Sequence, residues 1–148
     1  MTIVTQDRKP LFGQIVDGEM VLNDVGKMVE EFWIAIPKHF PNVELGAFVI
    51  MPNHIHGIIS ITVDATHASP LPRISKGPFP GSIGAIIGSF KSTASKGFRE
   101  IPNNAEKHPW QRNYYDHVIR NERDYTAIYE YILANPMNWE KDEEFPLS

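Results

Sequence analysis

The chain has 148 residues, enough for one domain whose core needs no covalent staples. It contains no cysteine, which excludes disulfides and thiolate metal sites and fits a reducing, cytoplasmic setting. The net charge of −4 argues against broad nucleic-acid affinity, but nine basic residues stand against four acidic ones between Arg73 and Arg123, with five against fourteen elsewhere.

Ile3 to Thr5 is a short β-branched run that predicts a first strand, and a loop carrying Gly13 and Gly18 follows it. The first residues lack a signal-peptide profile, and no apolar run reaches the roughly 18 residues of a membrane span, so no membrane partner is expected. Leu22, Val25, Met28, Val29, Phe32, Trp33 and Ile36 recur at helical spacing, with Asn23 and Asp24 at the start and Pro37 near the end. Leu45 to Met51 reads as a buried strand. Pro52-Asn53 supplies turn chemistry, and His54 to Val63 returns as a second strand.

Four of the twelve prolines fall between residues 64 and 81, which reads as a surface loop inside one domain spanning 1–148. Ile83, Ile86, Ile87 and Phe90 predict a helix over Ser82 to Phe98 that leaves Lys91 and Lys96 exposed. Tyr114 to Ile119 predicts a further strand. Asn121 then starts a helix running to Ala134, where Pro136 disfavours helical geometry at Asn135. The acidic tail, residues 140–148 with Glu140, Asp142, Glu143 and Glu144, reads as solvated. The order of elements predicts an α+β fold of the ferredoxin-like βαββαβ type, followed by an extra C-terminal helix.

Two features of this chain could do chemistry. His54-Ile55-His56 lies in an apolar run, and residues two apart on a strand share a face, so both imidazoles would stand side by side. Such a pair is half of a divalent-metal site. Two partly buried histidines bonded to their neighbours would give the same pattern. Tyr131 and Asn135 are four apart and share a helical face, which would present a phenol and a hard amide oxygen together. A helix tyrosine packed on the sheet is the plain alternative for Tyr131.

Three ordered blocks carry a family resemblance. They are Met51-Pro52-Asn53-His54-Ile55-His56-Gly57-Ile58-Ile59, then Trp110-Gln111-Arg112-Asn113-Tyr114-Tyr115-Asp116-His117-Val118-Ile119-Arg120, then Tyr131-Ile132-Leu133-Ala134-Asn135-Pro136. From the first strand to about Trp139 the chain resembles the single-tyrosine HUH transposases, and among them the REP-associated tyrosine transposases.

The resemblance implies an antiparallel ferredoxin-like sheet with helices on one face and a late helix delivering the tyrosine. It implies His54, His56 and Asn135 as ligands of Mg²⁺ or Mn²⁺, and Tyr131 as the nucleophile that cleaves single-stranded DNA near a hairpin. Strand transfer through a 5′-phosphotyrosine link would follow, by a single chain or a homodimer. Lys91, Lys96, Arg112, His117 and Arg120 are the candidate DNA contacts, and Tyr114 and Tyr115 are rival nucleophiles. A hairpin-binding module without catalysis and a metal-dependent phosphoesterase are the competing readings.

Overall fold

The computed structural model describes residues 1–62, 81–102 and 108–142. The expected loop therefore lies outside the described residues except for Gly81, and so do Glu143 and Glu144. Strand β1 (Thr2–Val4) is followed by a 3₁₀ turn over Gln6–Arg8 and by a hairpin, β2 (Gly13–Val16) and β3 (Glu19–Leu22). Next come α1 (Asp24–Ile34), the short α2 (Ile36–His39), β4 (Val43–Met51), β5 (His54–Ile61), α3 (Ile83–Glu100) and α4 (Glu122–Ala134). A 3₁₀ turn over Trp139–Lys141 ends the described chain.

Local chemistry accounts for most of these boundaries. Asn23, Ser82 and Asn121 each accept a backbone N–H with their side chains and start α1, α3 and α4. Pro37 does not end the first helix. It sits in the first turn of α2, where its missing N–H costs nothing. The expected loop around Gly18 is instead the β2–β3 hairpin. Asp17 and Gly18 both take positive φ, 51° and 77°, as a two-residue primed turn requires.

The main sheet is antiparallel in the order β1-β5-β4, with β5 in the centre. The predicted strand over Tyr114 to Ile119 does not form as a ladder. The chain runs beside β1 through two isolated antiparallel bridges, Thr2 with Tyr115 and Thr5 with Trp110. The bridged residues lie three positions apart on one side and five apart on the other, so the register slips and regular pairing cannot continue. Four backbone hydrogen bonds still fix the segment at the sheet edge, among them Thr2 N to Tyr115 O at 2.7 Å and Gln111 N to Val4 O at 2.9 Å. The result is an α+β fold with an antiparallel sheet and flanking helices, broadly consistent with a ferredoxin-like arrangement.

The pleat of β5 separates two environments. Ile55 pairs with Ile3 and Ile50 and joins the apolar core with Trp33 of α1 and Ile86, Ile87, Phe90, Ala94 and Phe98 of α3. Gly57, on the same face as Ile55, lies against Trp33, which leaves no room for a side chain there. His54 and His56 point to the opposite face, where α4 lies. Thus α1 and α3 cover one side of the sheet and α4 the other. Among the described residues no helix is long and apolar enough to cross a membrane.

A methyl group at position 57 would overlap the Trp33 ring and approach Phe48 Cβ at 3.3 Å. Gly57→Ala should therefore destabilise the chain by about 1–3 kcal/mol through overpacking. Urea unfolding followed by tryptophan fluorescence checks this, and an unchanged midpoint would contradict the packing described.

Candidate metal centre

Strand β5 delivers both imidazoles from the middle of the sheet. His54 is flanked by Val4 and Met51, and His56 by Thr2 and Val49 on the neighbouring strands. The two rings lie 4.5 Å apart between centroids at an interplanar angle of 72°. His54 is fully buried and His56 is 8% exposed. On the inner side of each ring, His54 Nδ1 lies 2.7 Å from Asn53 Oδ1, and His56 Nδ1 lies 2.8 Å from Thr2 Oγ1.

The two Nε2 atoms face one carboxylate of the acidic tail, which is buried here rather than solvated. Asp142 Oδ2 lies 3.5 Å from His54 Nε2 and 3.9 Å from His56 Nε2, and the aspartate side chain is only 2% exposed. All three candidate ligand atoms lie within 4.8 Å of one another. Neither Nε2 makes a hydrogen bond among the described residues, although both are buried. Separations of 3.5 and 3.9 Å are under the roughly 4.4 Å that two ligands on opposite sides of an ion at ~2.2 Å would span. Two buried imidazoles whose Nε2 atoms lack hydrogen bonds among the described residues, beside a buried carboxylate, fit a divalent cation.

Asp142 arrives because the chain turns back after α4. Pro136 was expected to push Asn135 out of helical geometry, but Asn135 keeps φ −57° and ψ −45°. The steric effect of a following proline is a preference, and here it is outweighed by a continuing turn. Asn135 N bonds to Ile132 O at 3.3 Å, and Asn138 N reaches both Ala134 O and Asn135 O. The next turn lays Trp139 on His54, with ring centroids 5.8 Å apart and planes at 29°. Asp142 follows directly. Glu140, in contrast, is exposed.

Tyr131 also reaches the site. Its ring lies 5.3 Å from that of His56, at 67°, and the residue is half exposed. Both groups belong to the same chain. Asn135 is 2% exposed, and its Oδ1 is buried with no hydrogen-bond partner among the described residues.

The candidate DNA contacts fall on two parts of the fold. Lys91 and Lys96 lie on α3, which covers the far side of the sheet. Lys96 is exposed. The Lys91 ammonium donates to Gln111 O at 2.9 Å and Asn113 O at 3.0 Å, tying α3 to the segment beside β1. Burial lowers its pKa. Arg112 and Arg120 are exposed, and His117 Nε2 lies 2.8 Å from Asp124 Oδ2 in the first turn of α4. Of the rival tyrosines, Tyr115 is exposed and Tyr114 packs against the core below the Lys91 ammonium.

Burial lowers the pKa of His56, with the His54 charge adding to the effect and Asp142 opposing it. Its imidazole is therefore neutral at pH 7, the form that binds metal. An unfolded histidine protonates near pH ~6.5. As pH falls the unfolded chain takes its proton first, so the stability from neutral His56 is complete above about 6.5 and is lost through the lower folded value. Urea unfolding in EDTA should show stability falling below pH ~6.5, with at most about 1.4 kcal/mol per pH unit from this group. His56→Gln should flatten that slope, and an unchanged slope would contradict the assignment. In calorimetric titrations, Asp142→Asn should weaken Mn²⁺ binding by more than the ~10–100-fold that a lost outer partner costs. Wild-type affinity in that variant would remove Asp142 from the centre.

No family model matches the chain. A Haemophilus influenzae protein (strain ATCC 51907 / DSM 11121 / KW20 / Rd), described as an uncharacterized protein, is 42% identical over 149 residues, covering 97% of this chain and 82% of that one. Among solved structures, a REP-associated tyrosine transposase bound to a REP hairpin superposes with a TM-score of 0.63 at 21% identity. That match covers 93% of this chain, which spans 65% of the transposase's length. At this identity the likeness is one of fold. The chain thus belongs to the family of the Haemophilus influenzae protein, and it carries a buried His-His-Asp cluster on a fold shared with a REP-associated tyrosine transposase.

Proposed function

We propose that this chain is a metal-dependent enzyme that nicks and rejoins single-stranded DNA beside a hairpin, with Tyr131 as nucleophile. The contact of the Tyr131 ring with His56, at the edge of the His54–His56–Asp142 cluster, is the observation that carries the reading. The fold likeness to a transposase bound to a hairpin supports it.

His54, His56 and Asp142 would hold the ion, and Asn135 is a further candidate ligand from the helix that carries Tyr131. A bound Mg²⁺ or Mn²⁺ supplies positive charge that polarises the phosphoryl oxygen and stabilises the transition state. Tyr131 is half exposed, and in the proposed step its hydroxyl passes its proton to solvent as it attacks. Its oxygen bonds to phosphorus as the bond to the 3′-oxygen breaks. The 5′-phosphate stays on Tyr131, and the 3′-oxygen leaves as a hydroxyl after gaining a proton. Attack by a 3′-hydroxyl on the phosphotyrosine reverses the step and restores both the diester and the phenol. Arg112, His117 and Arg120, on the segment leading into α4, are the proposed phosphate contacts.

A DNA hairpin with single-stranded flanks, incubated with the protein and Mn²⁺, tests this. The wild type should yield a DNA-linked species that survives SDS and maps to Tyr131 by peptide mass. Tyr131→Phe should lose it and cleave at least ~10³-fold more slowly, with hairpin affinity retained. Hairpin binding without an adduct in the wild type would favour the binding module. Cleavage surviving in Tyr131→Phe would mean that water is the nucleophile.

A further inference from the structure

The turn that precedes the histidine pair contacts the His54 ring directly. Asn53 is fully buried between β4 and β5, and both ends of its side chain are committed. Its Nδ2 donates to Arg8 O at 3.1 Å, and its Oδ1 lies 2.7 Å from His54 Nδ1. These two contacts fix which end of the amide is which, because an amide oxygen cannot donate to the Arg8 carbonyl. Oδ1 therefore faces His54, and an oxygen that can only accept requires the proton on Nδ1. In the neutral ring, His54 Nε2 then carries the lone pair, and it is this atom that points toward Asp142.

The anchor of the relay is unusual backbone. Asp7 and Arg8 both take left-handed conformations, with φ of 56° and 54°, although neither is glycine. Such geometry is strained and persists only where surrounding contacts impose it. Here Gln6 N bonds to Pro109 O, Arg8 N to Thr5 O, and Thr5 Oγ1 to Lys9 O. Thr5 N in turn donates to Asn53 O at 2.9 Å. Asn53 is thus gripped through its backbone and its side chain by one strained turn, with the Arg8 carbonyl aimed at its amide.

We propose that Asn53 is a positioning residue: held by the Arg8 carbonyl, it locks His54 in the Nδ1–H form so that Nε2 is ready to bind a cation. This rests on the metal reading above, but its first test needs no metal. With histidine labelled by ¹⁵N, the long-range ¹H–¹⁵N spectrum of the metal-free protein at pH 8 should show His54 protonated on Nδ1. A proton on Nε2 would overturn the proposal outright.

In Asn53→Ala the His54 ring should lose its single tautomer, and Mn²⁺ affinity should fall by about 10–100-fold, the usual cost of a lost outer partner. An Asn53→Ala protein that folds with wild-type tautomer and affinity contradicts the proposal. A wild type that shows Nδ1–H but binds no Mn²⁺ upholds the lock and overturns the metal reading instead.

Discussion

Alternation along β5 is the constraint on which the rest of the molecule depends. Ile55 and Gly57 press against Ile3 and Trp33, so the strand cannot shift by one residue without driving both imidazoles into the apolar core. Core packing therefore sets the register of the site. The partners on either side repeat the division, because Thr2, Val4 and Met51 share the histidine face while Ile3 and Ile50 share the other.

The histidine face is costly to assemble from protein groups alone. Two buried imidazoles and a carboxylate lie close together, and both Nε2 atoms lack hydrogen bonds among the described residues. Unsatisfied buried polar atoms cost about 1–3 kcal/mol each. A divalent cation would satisfy these groups together and offset the cost of removing them from water. The neutral state imposed on His56 by burial suits that role.

Much of this was legible in short-range patterns. The spacing of His54 and His56, the helical face shared by Tyr131 and Asn135, and the Asn121 cap all act within a few residues. The β2–β3 hairpin is legible too, since Asp17-Gly18 between two short runs, Ile15-Val16 and Glu19-Met20-Val21-Leu22, is a strong turn signal. Asp142 was not accessible in the same way. Its place depends on Asn135 staying helical before a proline and on Trp139 finding His54, a contact across most of the chain. The slipped register beside β1 depends likewise on where Trp110 packs among Phe12, Phe90 and Phe98, which no local pattern encodes.

The central claim is that one chain brings a cation and a phenol together on the far side of β5 from the core. Anomalous diffraction from a crystal soaked in Mn²⁺ tests it most directly. The account predicts a single strong peak at bonding distance, about 2.0–2.2 Å, from His54 Nε2, His56 Nε2 and the Asp142 carboxylate, with the Tyr131 hydroxyl facing it in the same chain. No peak between the imidazoles, or one there with Tyr131 turned to the opposite side of the sheet, would contradict it.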